Sequence, residues 1–268
     1  MPAIIDEVGS VSLFQRTAQW IMPMANPEYG AEERERFRTL PESMDALYDH
    51  FTERWAGSFA KAVVGDRDQM AAIADACEAN LEDNVHDAAL KAQLTPDYQV
   101  ACKRLIVSDS FYPAIQKPNA HLVTASITGI EPEGVRTDDG TLHDLDVLVL
   151  ATGFDGHRFM RPINVVGEGG VTVDDAWAEA NEAYRSVAIP GFPNLFMLAG
   201  PNSPIGNFSL IQIAEMQLAY VMQLIDQVRS GKAKAIAPKR EACDRFNAAI
   251  RDAMKTTVWV SGCKSWYL

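Results

Sequence analysis

The spacing of apolar residues changes character several times along the chain. Pro2-Ala-Ile-Ile-Asp-Glu-Val8 reads as the last turns of a helix closed by Gly9, and Val11-Ser-Leu-Phe14 reads as a short strand directly after it. Residues 30 to 94 are charged and rich in Ala, Glu and Asp. Their apolar positions recur at three or four, first at Phe37, Leu40, Met44, Leu47, Phe51 and Trp55, then at Met70, Ile73, Ala74, Cys77 and Leu81. This spacing predicts a helical insertion or cap whose aromatic residues serve its own core. Beyond Thr95 the pattern shortens: His121–Thr124 and Gly134–Thr137 predict strands, with Asp138-Asp-Gly-Thr141 as a hairpin turn. Leu145-Asp-Val-Leu-Val-Leu150 is apolar except at Asp146 and predicts a buried parallel strand running into the small-residue turn Ala151-Thr-Gly153. Leu195-Phe-Met-Leu-Ala199 predicts a second buried strand. An amphipathic helix is expected from about Ser209 to Arg229, with Leu210, Ile211, Ala214, Leu218, Val221, Leu224, Ile225 and Val228 on its apolar face and Gly231 as its cap.

The alternation of strands and helices predicts an α/β fold. A helix that leads into a strand with no strand before it is half of a βαβ unit. No GxGxxG occurs anywhere, so the sequence reads as entering a dinucleotide-binding domain beyond its phosphate loop. With 268 residues, 47% of them hydrophobic, there is enough chain for one large or two small domains. A net charge of -12 argues against nucleic acid or an anionic membrane as partner, but a small anionic cofactor needs only two or three local cations. The four cysteines form no CxxC pair and no metal-ligand spacing with the histidines, which predicts a reduced, cytoplasmic protein with no metal site. No apolar run approaches the ~20 residues of a membrane span.

Three places could carry chemistry. Arg16 and Thr17 follow the strand Val11–Phe14, where a dinucleotide-binding βαβ unit faces the adenosine ribose. A guanidinium and a hydroxyl there suit the 2′-phosphate of NADP, although a surface arginine at a strand end would look the same. Lys103 and Arg104 are adjacent cations whose side chains point different ways. One could take the phosphate and the other a developing anion, or both could simply be solvated. Gly200-Pro-Asn-Ser-Pro-Ile-Gly206 lies between a predicted strand and a helix start, where ligands of α/β sheets collect and free backbone N–H groups are on offer. Trp259 and Trp266 sit in an aromatic terminal segment that either docks over a pocket or is cut short, and Cys263 reads as a structural thiol.

Taken in order, Phe14-Gln-Arg-Thr17, Cys102-Lys-Arg104, Ala151-Thr-Gly-Phe-Asp155, Pro193-Asn-Leu-Phe196, Gly200-Pro-Asn-Ser-Pro204 and Ser265-Trp-Tyr267 resemble the flavin-dependent Baeyer–Villiger monooxygenases of the flavin-containing monooxygenase superfamily. The resemblance covers nearly the whole chain. It implies a partial two-dinucleotide-binding (FAD/NADP-binding) fold, with residues 1–150 as the remainder of the NADP domain, insertion 30–94 included, and 151–268 as the returning part of the FAD domain. It also implies that Arg16, Thr17 and Lys103 contact the NADP 2′-phosphate, and that Arg104 is the catalytic arginine that stabilises the flavin peroxide and Criegee intermediate. Ala151, Thr152, Gly153, Phe154 and Asp155, with Gly200, Asn202 and Ser203, would line the flavin, and Pro204 and Trp266 the substrate pocket. In the complete enzyme NADPH would reduce FAD, oxygen would form a C4a-peroxyflavin, and this would convert a small-molecule ketone to an ester or lactone. N- or S-oxygenation is the alternative within the superfamily, and a non-catalytic remnant that binds no FAD is the alternative outside it. A disulfide reductase is disfavoured by the lack of CxxC. The family's two glycine-rich loops and the fingerprint between them are absent, so the chain alone is expected to be inactive and to self-associate through exposed sheet edges.

Overall fold

The computed structural model describes residues 1–206, 208–265 and 267. The chain divides into two compact units. Unit 1 comprises Met1–Asp49, Asp66–Gly153 and Ser261–Lys264, and unit 2 comprises His50–Gly65, Phe154–Val260 and Ser265–Leu268.

Unit 1 is α/β. It starts with β1 (Val11–Phe14) and β2 (Ile21–Met22). The charged stretch then folds as α1 (Ala31–Thr39), α2 (Pro41–Gly57), whose residues from His50 onward belong to unit 2, α3 (Phe59–Val63) of unit 2, and, again in unit 1, α4 (Arg67–Asn84) and α5 (Ala88–Leu94). Next come β3 (Ile106–Val107), α6 (Phe111–Ile115), β4 (Ala120–Val123), β5 (Ile127–Glu131), β6 (Gly134–Thr137) and β7 (Leu142–Asp144). β1 lies parallel to β4, with Val11 opposite Ala120 and Phe14 opposite Val123, and β2 lies parallel to β3. β5, β6 and β7 form an antiparallel meander, and the expected hairpin turn at Asp138–Thr141 joins its last two strands with Gly140 at φ 82°.

Helices α4 and α5 begin where the Asp66 and Asp87 carboxylates accept the backbone N–H groups of Gln69 and Leu90. α4 buries Ile73, Cys77 and Leu81 at helical spacing. Leu81 joins Ile21, Val85, Leu94, Tyr112 and Ile115 in the core, and the Asn80 amide donates to the Ile21 carbonyl, fixing α4 to the edge of β2.

Four expectations fail here. Residues 2–8 form successive turns rather than a helix, with N–H groups reaching back three residues, Ile4 to Met1 and Glu7 to Ile4. The stripe Phe37 to Trp55 is helical but not core: α1 and α2 bury nothing, and Leu40 and Trp55 remain 45% and 40% exposed. Helical period reports a face, and burial needs a second surface against it. Leu145–Leu150 is not a strand, and Val147 and Val149 are each 75% exposed. Only Leu145 has a cross-chain backbone partner, its N–H donating to the Glu133 carbonyl at 3.0 Å; from Asp146 to Leu150 no ladder partner is found among the described residues, and an apolar run without one cannot hold the pleated form. The cysteines are not all reduced: Cys102 is joined to Cys263, 161 residues away, while Cys77 and Cys243 are buried free thiols.

Unit 2 contains α3, the single turn α7 (Val173–Ala176), α8 (Leu210–Arg229) and α9 (Arg240–Met254). A capping box between Thr172 and Asp175 starts α7, and Val173, Trp177, Ile189 and Phe192 form one core. Leu195–Ala199 lies half-buried without a strand ladder, held by the Met197 N–H on the Val187 carbonyl at 2.9 Å, so the second buried strand is also corrected. Helix α8 has the expected bounds and its Gly231 cap at φ 74°. Its buried line, however, is Ile213, Gln217 and Val221, and Leu210, Ile211 and Leu218 are exposed. No helix among the described residues is long and apolar enough to cross a membrane.

Candidate functional site

In unit 1 the backbone places Arg16 and Thr17 just past the end of β1 and Thr124 just past the end of the parallel strand β4. The Gln15 N–H donates to the Val123 carbonyl at 2.8 Å and carries the pairing one residue further. Carboxyl ends of parallel strands are where α/β folds leave room for ligands. A cavity of about 470 Å³ opens there, lined by Arg16, Thr17, Tyr98, Lys103, Thr124 and Lys264 among others. This brings together three predicted phosphate contacts, Arg16, Thr17 and Lys103, from distant parts of the sequence.

Tyr98 organises one wall. Its carbonyl accepts the Trp20 indole N–H at 2.7 Å and its hydroxyl donates to the Gln19 side-chain oxygen at 3.1 Å. The Lys103 ammonium sits 4.5 Å from the Tyr98 ring centroid, a cation–π contact that holds the charge at the cavity wall without neutralising it. Burial pushes the Tyr98 phenol above its ordinary pKa; a backbone hydrogen bond at Trp20 opposes this and Asp97 adds to it. The hydroxyl is therefore a neutral donor at physiological pH. Among the described residues no carboxylate lies within ion-pair distance of Arg16, Lys103 or Lys264. Asp97 also lines the cavity but is ion-paired to none of them, so three cations face one carboxylate there, an excess of positive charge suited to an anion in a chain of net charge -12. Arg104 follows Lys103 but is exposed and does not line this cavity.

In unit 2 the Gly200 loop is braced from two helices. Gln217 of α8, 9% exposed, accepts the Ala199 N–H at 2.7 Å and donates to the Ser203 hydroxyl at 2.9 Å. Asn247 of α9, 1% exposed, accepts from the Asn202 amide at 2.9 Å and donates to the Cys243 carbonyl at 2.9 Å. Ala199 and Asn202 both take left-handed backbone, φ 52° and 62°, which a non-glycine residue keeps only when its surroundings hold it there. Gly200 is required for space: a Cβ would collide with the Ser186 carbonyl oxygen and the Met197 side chain. At the loop's far end, Gly206 lies under the rings of Trp259 and Tyr267, which places part of the terminal aromatic segment over the loop. Pro204 is exposed at the loop surface. Trp266 lies outside the described residues.

Ala151, Thr152 and Gly153 close the second segment of unit 1, while Phe154 and Asp155 open the second segment of unit 2, and all are exposed. Gly153 has φ 87°, the left-handed region where glycine is at ease.

Sequence reasoning missed Tyr98, Lys264, Gln217 and Asn247. For Gln217 a signal existed, because it is a polar residue placed four positions from both Ile213 and Val221 on one helical line. Lys264 had none, since only the link between Cys102 and Cys263 shows where it lies.

Comparison with known proteins follows the same outline. No protein-family model matches the sequence. An uncharacterised monooxygenase of Mycobacterium tuberculosis is 44% identical over 260 residues, covering 97% of this chain and 52% of that protein. A Baeyer–Villiger monooxygenase of Streptomyces coelicolor is 34% identical over 275 residues, covering all of this chain and 52% of that protein. Among solved structures, OTEMO in complex with FAD and NADP aligns with a TM-score of 0.78 at 25% identity, over 96% of this chain and 54% of that one. The chain thus spans about half the length of the curated relatives it matches.

Proposed function

Because the chain belongs by sequence and fold with the flavin-dependent Baeyer–Villiger monooxygenases, we propose that it is a portion of an FAD- and NADPH-dependent monooxygenase that places one oxygen atom next to a ketone carbonyl. The observation that carries this reading is the cavity of unit 1, where Arg16, Thr17 and Lys103 converge with no carboxylate partner among the described residues. Those residues fit the 2′-phosphate end of NADP: a guanidinium fork, an ammonium and a hydroxyl can satisfy three phosphate oxygens together. The fit to FAD is incomplete. These 268 residues contain no glycine-rich loop to cradle its pyrophosphate, and Gln217 and Asn247 spend their side chains on bracing the Gly200 loop rather than facing outward. Flavin binding therefore draws on polypeptide beyond these residues, and these residues alone do not turn over.

Bound FAD, reduced by NADPH, would supply activated oxygen for the conversion of a ketone to an ester or lactone. Within this chain, unit 1 supplies the remainder of the NADP-binding domain and unit 2 the returning part of the FAD-binding domain. Arg16, Thr17 and Lys103 hold and orient the 2′-phosphate. Arg104, exposed beside the cavity residue Lys103, is assigned to stabilising the developing negative charge of the reaction. Ala151–Asp155 and the Gly200, Asn202 and Ser203 loop are each assigned to the flavin, and Pro204 and Trp266 to the substrate. An NADPH-consuming role fits a cytoplasmic location, and the exposed Val147–Leu150 run is the surface through which the isolated chain would self-associate.

The test combines a visible spectrum with turnover. The isolated chain should stay colourless when FAD is added. A polypeptide joining it to the glycine-loop half of the Streptomyces relative should bind flavin and oxidise NADPH in the presence of a ketone, and Arg104→Ala in that polypeptide should keep the flavin colour while ester formation is lost. Turnover with an amine or sulfide but no ketone would replace the ketone reading with N- or S-oxygenation. Flavin retained by the isolated chain would overturn the division of the FAD site.

A further inference from the structure

The anion cavity holds a cation that the sequence motifs do not account for. Lys264 lines it together with Gly262 and Cys263, although none of the three belongs to the elements that build the rest of the wall. They are there because Cys263 is bonded to Cys102, the residue directly before Lys103. Cys102 is fully buried and follows Ala101, whose φ of 65° turns the chain back at that point. The crosslink is thus anchored in the wall that carries Lys103 and Tyr98, and the segment Ser261–Lys264 belongs to unit 1 although the chain on either side of it belongs to unit 2. Lys264 is exposed, has no carboxylate partner among the described residues, and lies two positions after Gly262, whose φ is 108°. The other two cysteines are poorly suited to exchange with this bond. Burial, with some help from Glu78, pushes the Cys77 thiol up to about 12, and burial likewise raises Cys243, so neither supplies a thiolate at neutral pH.

We propose that Lys264, brought to the cavity by the Cys102–Cys263 bond, is a third cation of the phosphate site, so that the state of this bond sets the preference for 2′-phosphorylated over plain adenine nucleotides. The proposal rests on the reading of the cavity as an NADP 2′-phosphate site. Opening the bond requires a dithiol reductant. Its two thiols become a disulfide, and Cys102 and Cys263 each take up one electron and one proton. The segment Ser261–Lys264 then loses its covalent hold on the wall and Lys264 leaves the phosphate, while Arg16 and Lys103, carried by other parts of unit 1, remain. The reduced protein keeps a weaker, less selective nucleotide site.

Calorimetric titration of the full 268-residue chain tests this, with adenosine 2′,5′-bisphosphate and adenosine 5′-monophosphate as probes. The oxidised wild type should prefer the bisphosphate. Lys264→Gln should weaken the bisphosphate about 3- to 10-fold, the scale of one charge-assisted phosphate contact, and leave the monophosphate unchanged; Lys264→Arg should restore most of the loss. Cys263→Ser and dithiothreitol-treated wild type should match Lys264→Gln, and dithiothreitol should not weaken Cys263→Ser further. Alkylation of the unfolded chain should find two thiols before reduction and four after. If Lys264→Gln binds the bisphosphate as wild type does while Arg16→Gln is weakened, the role of Lys264 is overturned and the phosphate site stands. If the wild type does not distinguish the two probes, both fall. Four thiols without reductant would overturn the crosslink.

Discussion

Replacing Gln217 by Leu should destabilise the chain, although it puts an apolar side chain of similar size on the buried line of an amphipathic helix. On sequence grounds alone the change looks favourable, because a leucine between Ile213 and Val221 would complete an unbroken apolar stripe on α8. The structure gives the opposite sign. The substitution removes the acceptor of the Ala199 N–H (2.7 Å) and the donor to the Ser203 hydroxyl (2.9 Å). An orphaned amide costs about 1–3 kcal/mol and the lost hydroxyl bond about 0.5–1.5 kcal/mol. The added apolar burial returns about 1 kcal/mol, leaving a net loss of about 2 kcal/mol. For a chain of this size that lowers the melting temperature by about 4–8 °C. Thermal unfolding followed by circular dichroism measures the total, and a double-mutant cycle with Ser203→Ala isolates the side-chain pair, with an expected coupling of about 0.5–1.5 kcal/mol. Amide exchange at Ala199 should accelerate in Gln217→Leu and stay slow in Ser203→Ala. A Gln217→Leu protein as stable as the wild type, with the Ala199 amide still protected, would refute the brace.

Three further outcomes follow from single sites. Tyr112 buries a hydroxyl with no hydrogen-bond partner among the described residues, so Tyr112→Phe should raise stability by about 1 kcal/mol in urea unfolding; a comparable loss would mean that the hydroxyl has a partner. The Cys77 thiol is raised from 9.0 to about 12, chiefly by burial and then by Glu78, so between these values the folded state keeps a proton that the unfolded state has lost. The unfolded state then binds fewer protons, so stability is fully present below about pH 9 and falls as pH rises toward 12. The urea midpoint of the wild type should accordingly drop relative to Cys77→Ala between about pH 9 and 11, and parallel curves would count against the shift. Gly200→Ala would drive a methyl group into the Ser186 carbonyl, which sits in a turn with both central residues, Arg185 and Ser186, at positive φ. It should cost about 1–3 kcal/mol, and a neutral effect in urea unfolding would mean that this turn gives way easily.

Where the sequence spoke clearly, the structural cause lies close along the chain. α8 ends at Gly231, a cap readable within a few residues of the helix. The hairpin at Asp138–Thr141 closes on its own neighbours. Where the sequence misled, a distant surface decides. The stripe from Phe37 to Trp55 and the run Leu145–Leu150 have the right periods, yet both lie exposed because the described residues offer no surface or ladder to cover them. The side of α8 that is buried was misread for a related reason: hydropathy weighs Leu and Ile above Gln, but the neighbour against α8 is a loop with a backbone N–H and a hydroxyl to satisfy.

The same distinction explains why the proposed phosphate cavity can form within half the length of the relatives while a flavin site does not. A pocket for an anion needs a few cations delivered by elements that fold against one another, and β1, β4, the loop through Tyr98 and the crosslinked Lys264 all lie in unit 1. Its closure depends on pairings made within that unit: Phe14 opposite Val123, the Trp20 indole on the Tyr98 carbonyl, Cys102 on Cys263. A flavin needs a glycine-rich turn for its pyrophosphate, and no set of interactions among these residues replaces one. Nucleotide binding and flavin binding should therefore separate cleanly in this chain. The first would follow the charges at Arg16, Lys103 and Lys264. The second would appear only when a glycine-rich loop is supplied and the apolar run at Val147–Leu150 gains a strand to pair with.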